Sequence, residues 1–232
     1  MKIFLTIIIN IYFSLSLFCQ SDSTYFSDAI KINFNKYKVQ SETAYRTGDT
    51  ERGQFLFDSL VNHRLKNTIF DDFALKKIKG GKLKLHKSDK PVILLTYASW
   101  CVFSKGEIPA LNKLARKYSK DAHFVVLFWD RKHNVRKIAR KFNHNITVCY
   151  AHEYYKNDAP LVAALKHTLG FPTSLYLDEN MRIVDIRRCS VYEQDTTPGY
   201  KKSYALNYNS FLKGLNTILI DKELKKEMLA VN

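Results

Sequence analysis

The chain has 232 residues, a formal net charge of +15 at pH 7 and a hydrophobic fraction of 46%. This apolar content can form a packed core, which excludes a globally disordered chain, and the length fits one domain with appendages or two small domains. The basic residues are spread along the sequence without a nucleic-acid-binding motif, so we expect a solvated basic surface and no nucleic-acid partner. Contact with an anionic membrane surface or an acidic protein is the alternative use of this charge.

The N-terminal segment, residues 1–19, has the composition of a targeting sequence. Lys2 precedes a mostly apolar run over residues 3–18, and Cys19 opens a polar stretch. The run is short for a spanning helix and Asn10 interrupts it, which predicts a cleaved secretory signal peptide. A lipid-modified Cys19 and an uncleaved anchor are the alternatives. We therefore expect an exported protein, periplasmic or membrane-tethered, in a compartment that permits disulfides.

Residues 20–67 predict a helical extension. Two polar helical segments flank Gly48-Asp49, and the second places Phe55, Leu56 and Leu60 near one face. We expect this extension to pack against the main domain in a structural role, with partner binding as the alternative. Residues 70–86 follow as two short apolar stretches around the turn signal Gly80-Gly81, which predicts a β-hairpin.

A cysteine follows the first strongly apolar strand. Residues 92–95 predict a strand buried on both faces, residues 96–99 a polar turn, and the sequence after Cys101 an amphipathic helix. A cysteine at the start of a helix would lie near unpaired N–H groups and the positive end of the helix dipole. This position predicts a thiol that loses its proton readily and acts as a nucleophile.

The rest of the chain alternates strands and helices, which predicts an α/β fold with a parallel core sheet and right-handed crossovers. An antiparallel hairpin closes the predicted sheet, and one helix follows it. The charged C-terminal residues 221–232 are expected to fray. The predicted strands are 123–129, 146–150, 174–177 and 182–187, the helices are 134–142, 159–169 and 209–219, and a loop spans 193–200.

Two separated segments carry a family resemblance. Residues 100–104 are W-C-V-F-S, followed by Glu107, Pro109 and Leu111. They resemble the active-site segment W-C-x-x-C-x-x-E-x-P-x-L of the TlpA/ResA-type thiol–disulfide oxidoreductases, within the AhpC/TSA–Redoxin superfamily. Residues 170–173, G-F-P-T before an apolar strand, resemble the cis-proline loop of the same family. The resemblance implies a thioredoxin-like fold over residues 68–220, with an N-terminal β-hairpin, a central βα insertion and the N-terminal helical extension.

The sequence departs from the family pattern at one catalytic position. The second cysteine of the motif is replaced by Ser104, so the site is C-x-x-S. A serine cannot form a disulfide, although its hydroxyl can donate a hydrogen bond to the thiolate of Cys101. The resemblance then implies exchange by a single nucleophilic cysteine, acting on protein disulfides or with a low-molecular-weight thiol. A redox-silent binding module for a client protein is the alternative.

The resemblance also implies roles for neighbouring residues. The peptide bond before Pro172 is expected to be cis, and Trp100, Phe171, Pro172 and Thr173 are expected to bind substrate. Glu107 is expected to have a raised pKa and to relay protons, with a solvent-facing helix glutamate as the alternative. Pro109 is expected to kink the helix after Cys101.

The other cysteines predict no second redox site. If the strand with Cys149 is the outer edge strand next to residues 123–129, Cys149 and Cys189 lie on opposite edges, about 19 Å apart, beyond disulfide reach. Each is then a small buried apolar residue. Cys149, His152 and Glu153 are close in sequence but lack a distant partner, so we expect no metal site and no cofactor.

Overall fold

The computed structural model describes residues 24–188 and 199–230. The predicted signal segment 1–19, Cys189 and most of the predicted loop 193–200 lie outside these residues. Within the described part of the chain, no helix combines the length and the apolar character needed to cross a membrane.

A seven-stranded sheet is the centre of the fold, in the order β2-β1-β5-β4-β3-β6-β7. The strands β3, β4 and β5 are parallel, and β6 and β7 add an antiparallel edge. This sheet confirms the predicted α/β class with a parallel core and a closing hairpin. The strands are β1 Ala74–Lys77, β2 Lys82–Lys84, β3 Val92–Tyr97, β4 His123–Phe128, β5 Ile146–Tyr150, β6 Thr173–Leu177 and β7 Ile183–Arg188.

In the described part of the chain, α-helices cover the two faces of the sheet. They are α1 Phe26–Arg46, α2 Thr50–Leu60 with a π-helical turn Val61–Leu65, α3 Glu107–Tyr118, α4 Lys132–Ala139, α5 Ala159–Leu161 with a π-helical turn Val162–Lys166, and α6 Tyr200–Ala230. One face packs against α1, α2 and α5, and the other packs against α3, α4 and α6. Each face therefore buries the apolar side of a separate group of helices.

The strand before the cysteine is longer than predicted. Thr96 and Tyr97 belong to β3, and the pairing with β4 continues to Tyr97 opposite Phe128. The Tyr97 ring is buried, with its centroid 4.8 Å from that of Phe103. The predicted polar turn over residues 96–99 is wrong at these two positions because packing of the tyrosine ring extends the strand.

The hairpin changes which strand lies at the edge of the sheet. β1 pairs with β5, with Lys77 opposite Cys149, so β5 is an interior strand. The expectation that β5 is the outer edge strand is wrong, because β5 pairs with β4 on one side and with β1 on the other. Four strand spacings still separate β5 from β7, as the predicted cysteine separation assumed.

The N-terminal helices share a core with the sheet. Phe26, Phe57 and Leu65 are fully buried in the same cluster as Leu127 of β4. Arg188, the last residue of β7, donates a 2.6 Å hydrogen bond from Nη2 to the Tyr37 hydroxyl. Apolar burial and this polar contact hold α1 and α2 against the sheet.

The last helix is longer than predicted and lies very close to its neighbours. α6 spans 31 residues, Tyr200–Ala230, and so extends beyond the predicted helix 209–219 into the segment that is expected to fray. The residues there, mainly lysine, glutamate and leucine, are strong helix formers and continue the helix. A Cβ atom on Gly214 would lie 2.0 Å from the Tyr176 ring, so glycine permits the contact between α6 and β6.

Candidate active site

Cys101 lies in the loop between β3 and α3. The helix begins at Glu107, six positions after Cys101, with Gly106 as its N-terminal cap residue. Instead of a helix terminus, a local turn surrounds the thiol: Cys101 N donates to Ala98 O, and Ala98 N donates to Cys101 Sγ at 3.3 Å. The predicted position of Cys101 at a helix start is therefore wrong. The effect of a helix dipole is strongest within the first turn, and Cys101 is not part of that turn.

The environment of Cys101 opposes loss of its proton. Burial raises the pKa of the Cys101 thiol most strongly, and the carboxyl groups of Glu107 and Asp130 raise it further. The hydrogen bond from Ala98 lowers the pKa but does not offset these effects. The expectation of a lowered pKa is wrong because burial and negative neighbours replace the predicted helix dipole.

Glu107 is buried below the cysteine loop. The Tyr97 hydroxyl donates a 2.8 Å hydrogen bond to its Oε1, and Ser104 N donates to its Oε2 at 3.1 Å. Burial raises the pKa of Glu107, while these hydrogen bonds act in the opposite direction. The sequence leaves open whether the Glu107 carboxyl lies in the site or faces solvent. In the structure it is buried in the site.

Pro109 lies in the first turn of α3. It is the third residue of the helix that begins at Glu107. The first N–H groups of a helix have no intrahelical partner, so a proline there removes no hydrogen bond. The predicted kink assumed a proline in the helix interior, whereas Pro109 is in the first turn.

Ser104 is hydrogen-bonded to two side chains other than Cys101. Asn207 Nδ2 donates to Ser104 Oγ at 2.7 Å, and the Ser104 side chain also hydrogen-bonds to the Glu107 carboxyl. Asn207 Nδ2 further donates to the Ser203 carbonyl at 2.7 Å. The predicted bond from Ser104 to the Cys101 sulfur is not formed among the described residues, because the Glu107 carboxyl accepts from the Ser104 hydroxyl instead.

A pocket of about 260 Å³ brings most of the predicted site residues together. The Phe171–Pro172 peptide bond is cis, and Trp100 packs edge-on against Phe171 with ring centroids 5.6 Å apart. Cys101, Ser104 and Glu107 line the same pocket. Thr173 is not among its lining residues, since it is buried at the start of β6 with its hydroxyl donating to Gly170 O.

Sequence reasoning missed the wall of the pocket that α6 supplies. Asn207, Ser210 and Phe211 line the pocket, about a hundred positions after Cys101. The available signal was the spacing of Ser203, Asn207 and Phe211, which puts two polar side chains on the buried face of one helix. A buried asparagine at such a position requires a hydrogen-bond partner, here Ser104.

The second described cysteine lies outside the Cys101 pocket. Cys149 is buried on β5, and burial raises the pKa of its thiol to about 12. In residues 24–188 and 199–230, no group of three or more histidine, cysteine, aspartate or glutamate side chains is placed to hold a metal ion. Of the two cysteines in the described part of the chain, Cys101 is partly exposed and Cys149 is buried.

Comparisons with known proteins agree with this architecture. The sequence pattern of the AhpC/TSA family matches residues 67–186. Thioredoxin-like protein YneN of Bacillus subtilis (strain 168) is 28% identical over 116 residues, which are 50% of this chain and 66% of YneN.

Solved structures with low identity also match. A Bacteroides thetaiotaomicron protein described as a candidate protein disulfide isomerase is 19% identical, with a TM-score of 0.48 over 68% of this chain and 92% of that one. A secreted Mycobacterium tuberculosis disulfide oxidoreductase is 15% identical, with a TM-score of 0.41 over 58% of this chain and 96% of that one. The family match and the sheet order confirm the predicted thioredoxin-like fold and the family resemblance. The chain belongs to the AhpC/TSA family.

Proposed function

We propose that the protein exchanges thiols and disulfides through a single nucleophilic cysteine, Cys101. One observation carries this proposal: the Cys101 sulfur, half-buried, lines a pocket whose other wall is the Phe171–Pro172 loop. An extended substrate segment can pair with such a loop while its disulfide meets the thiol. Trp100 and Phe171 then supply apolar contact, and Thr173 positions the loop through Gly170.

The exchange proceeds in two balanced steps. The Cys101 thiolate attacks one sulfur of a disulfide, a new Cys101–sulfur bond forms, and the substrate bond breaks with release of a thiolate. Ser104 has no sulfur to resolve this mixed disulfide, so a thiol of the substrate or a low-molecular-weight thiol attacks it and frees Cys101. Each step exchanges one disulfide for another without net oxidation or reduction.

Glu107 provides the proton transfer for these steps. Its carboxyl lines the same pocket, and its negative charge raises the pKa of Cys101. An ionised Glu107 accepts the thiol proton and returns it to the leaving sulfur, directly or through water. Because a thiolate of higher pKa is rarer but more nucleophilic, exchange should be slow at neutral pH and accelerate as the pH rises.

Export is part of the proposal and is supported by the sequence of residues 1–19. An oxidising compartment outside the cytoplasm supplies disulfide substrates. We infer that residues 20–67 are a helical extension of the thioredoxin-like domain. Contact of the basic surface with an anionic membrane remains the alternative to a solvated surface for the net charge of +15.

Trapping of the mixed disulfide tests the exchange. Protein with Cys149 and Cys189 changed to alanine is incubated with a peptide disulfide at pH 9, acid-quenched and analysed by mass spectrometry. We expect a peptide adduct on Cys101, none in the Cys101→Ser variant, and a shorter-lived adduct in Ser104→Cys, which restores a second thiol. An unmodified Cys101 with every disulfide up to pH 10 would overturn the proposal.

A second candidate is a redox-silent binding module. The raised pKa of Cys101 and the engagement of Ser104 with Asn207 favour it, since both reduce redox reactivity. In that case Cys101→Ser would bind client peptides as tightly as the wild-type protein, and the wild-type protein would form no adduct.

A further inference from the structure

The pocket next to Cys101 differs in charge from the rest of the protein. The chain has a net charge of +15, yet no lysine, arginine or histidine is among the described residues that line the pocket. The lining residues are Tyr97, Trp100, Cys101, Val102, Phe103, Ser104, Glu107, Phe171, Pro172, Asn207, Ser210 and Phe211. Its one ionisable group besides the thiol and the Tyr97 hydroxyl is the Glu107 carboxyl. The pocket therefore offers no cation to a negatively charged ligand.

Its size and lining fit part of a substrate. A volume of about 260 Å³ is below the roughly 300–1,000 Å³ that encloses a whole small molecule. Aromatic rings supply much of the wall: Tyr97 packs on Phe103, and Phe211 of α6 is nearly fully buried. Such a space suits a single apolar side chain that leaves water on binding.

The α6 wall is fixed before any substrate arrives. Asn207 bonds to Ser104 and to the Ser203 carbonyl, and Gly106 N donates to Ser203 Oγ at 3.1 Å. A Cβ atom on Gly106 would lie 2.1 Å from Tyr204 N, so the backbones are in direct contact. A preformed wall loses little conformational freedom when a ligand binds, which favours selectivity for shape and charge.

We propose that this pocket is a subsite for an uncharged apolar side chain next to the substrate cysteine. Phe211 and Ser210 of α6 are its specificity-determining residues. This inference rests on the proposed exchange function and narrows its substrates to disulfides in apolar peptide segments. Anionic low-molecular-weight disulfides react poorly, because their carboxylates meet no cation in the pocket and are repelled by Glu107 once it ionises.

The test compares three disulfide probes in the background with alanine at positions 149 and 189. Two are disulfide-linked dimers of an acetylated, amidated pentapeptide, one with leucine and the other with glutamate directly after the cysteine. The third is oxidised glutathione. The rate of adduct formation on Cys101 at pH 9 is divided by the rate of each probe with 2-mercaptoethanol, which removes intrinsic reactivity. We expect the leucine peptide to exceed both anionic probes by about tenfold or more.

A charge introduced at the subsite provides the matched variants. Ser210 is exposed and lines the pocket, whereas Asn209 is exposed and is not among the lining residues. Ser210→Lys should raise the rate with the glutamate peptide and glutathione relative to the leucine peptide by about threefold or more, whereas Asn209→Lys should leave the ratio near that of the wild-type protein. Both substitutions add one positive charge to the same helix, so a difference between their rate ratios measures the effect of a charge at the pocket.

The outcomes separate the two proposals. The subsite proposal would be overturned if the leucine peptide and glutathione had equal normalised rates in the wild-type protein. It would also be overturned if Ser210→Lys and Asn209→Lys had the same ratio of anionic-probe rate to leucine-peptide rate. Absence of any adduct with all three probes would overturn the exchange function itself. Phe211→Ala, compared with Ile220→Ala at an exposed position of α6, should reduce the leucine preference if the variant stays folded.

Discussion

Asn207 of α6 donates a 2.7 Å hydrogen bond to the hydroxyl of Ser104, a residue 103 positions earlier in the chain. Ser104 occupies the position of the second cysteine in the C-x-x-C pattern, and its side chain also bonds to Glu107. Ser104 stands where a second cysteine would resolve a mixed disulfide, and it instead belongs to a polar network between the cysteine loop and α6. The Glu107 carboxyl accepts a hydrogen bond from the Ser104 hydroxyl, which leaves Cys101 without a hydrogen bond from Ser104.

Removal of this network should destabilise the protein. Asn207→Ala removes the side-chain donor that bonds to the Ser104 hydroxyl and to the Ser203 carbonyl, and the net loss of such a hydrogen bond costs about 0.5–1.5 kcal/mol. We expect urea unfolding to show a loss of this size. Asn209→Ala, at an exposed position on the same helix, should change the free energy of unfolding by less than about 0.5 kcal/mol. Equal losses in the two variants would contradict the assignment.

The reactivity of Cys101 should depend on Glu107. In the variant with alanine at 149 and 189, the midpoint of iodoacetamide labelling should lie above the ~8.5 of an ordinary thiol, because burial and nearby carboxylates raise the pKa of Cys101. Glu107→Gln removes one negative charge and should move the midpoint down. The exposed Glu51→Gln serves as the control. A midpoint below that of an ordinary thiol, or one unmoved by Glu107→Gln, would refute this account.

Glu107 should also make stability depend on pH. Its pKa is raised in the folded protein because burial disfavours the charged carboxylate. Its contribution to stability is thus fully present below the unfolded-state pKa of about 4.3 and is lost as the pH rises through the folded-state pKa. Relative to the wild-type protein, Glu107→Gln should gain stability between pH 4 and pH 8 in urea titrations. A difference between the two proteins that does not change with pH would show that ionisation of the Glu107 carboxyl carries no cost in stability.

Gly106 should tolerate no side chain. A Cβ atom there would lie 2.1 Å from Tyr204 N and 2.3 Å from Tyr204 Cα, and such overpacking against backbone costs about 1–3 kcal/mol or more. Gly106→Ala should lower the thermal midpoint and change the near-UV circular dichroism of the pocket aromatics. Gly199→Ala, where a Cβ atom meets nothing within 4 Å, is the matched control. A Gly106→Ala protein as stable as this control would disprove the close contact.

Local sequence patterns predicted the framework well. The strand over residues 146–150 has the predicted bounds, and the turn at Gly80-Gly81 connects β1 and β2. Apolar runs, glycine turns and strand–helix alternation are properties of neighbouring residues, so they can be recognised without the fold. The start of α3 at Glu107 was missed because the cysteine loop is shaped by Tyr97 and by α6, which are not local to it.

The sequence alone determined the reactive candidate, its single-cysteine pattern and the Phe171–Pro172 loop, because these are identities and spacings along the chain. Only the tertiary structure decided the chemical state of the site. The pKa of Cys101 depends on burial and on the carboxyl groups of Glu107 and Asp130. The pocket wall depends on Asn207 and Phe211, which reach it only after α6 packs. Desolvation and charge interactions act through space, so the order of residues does not reveal them.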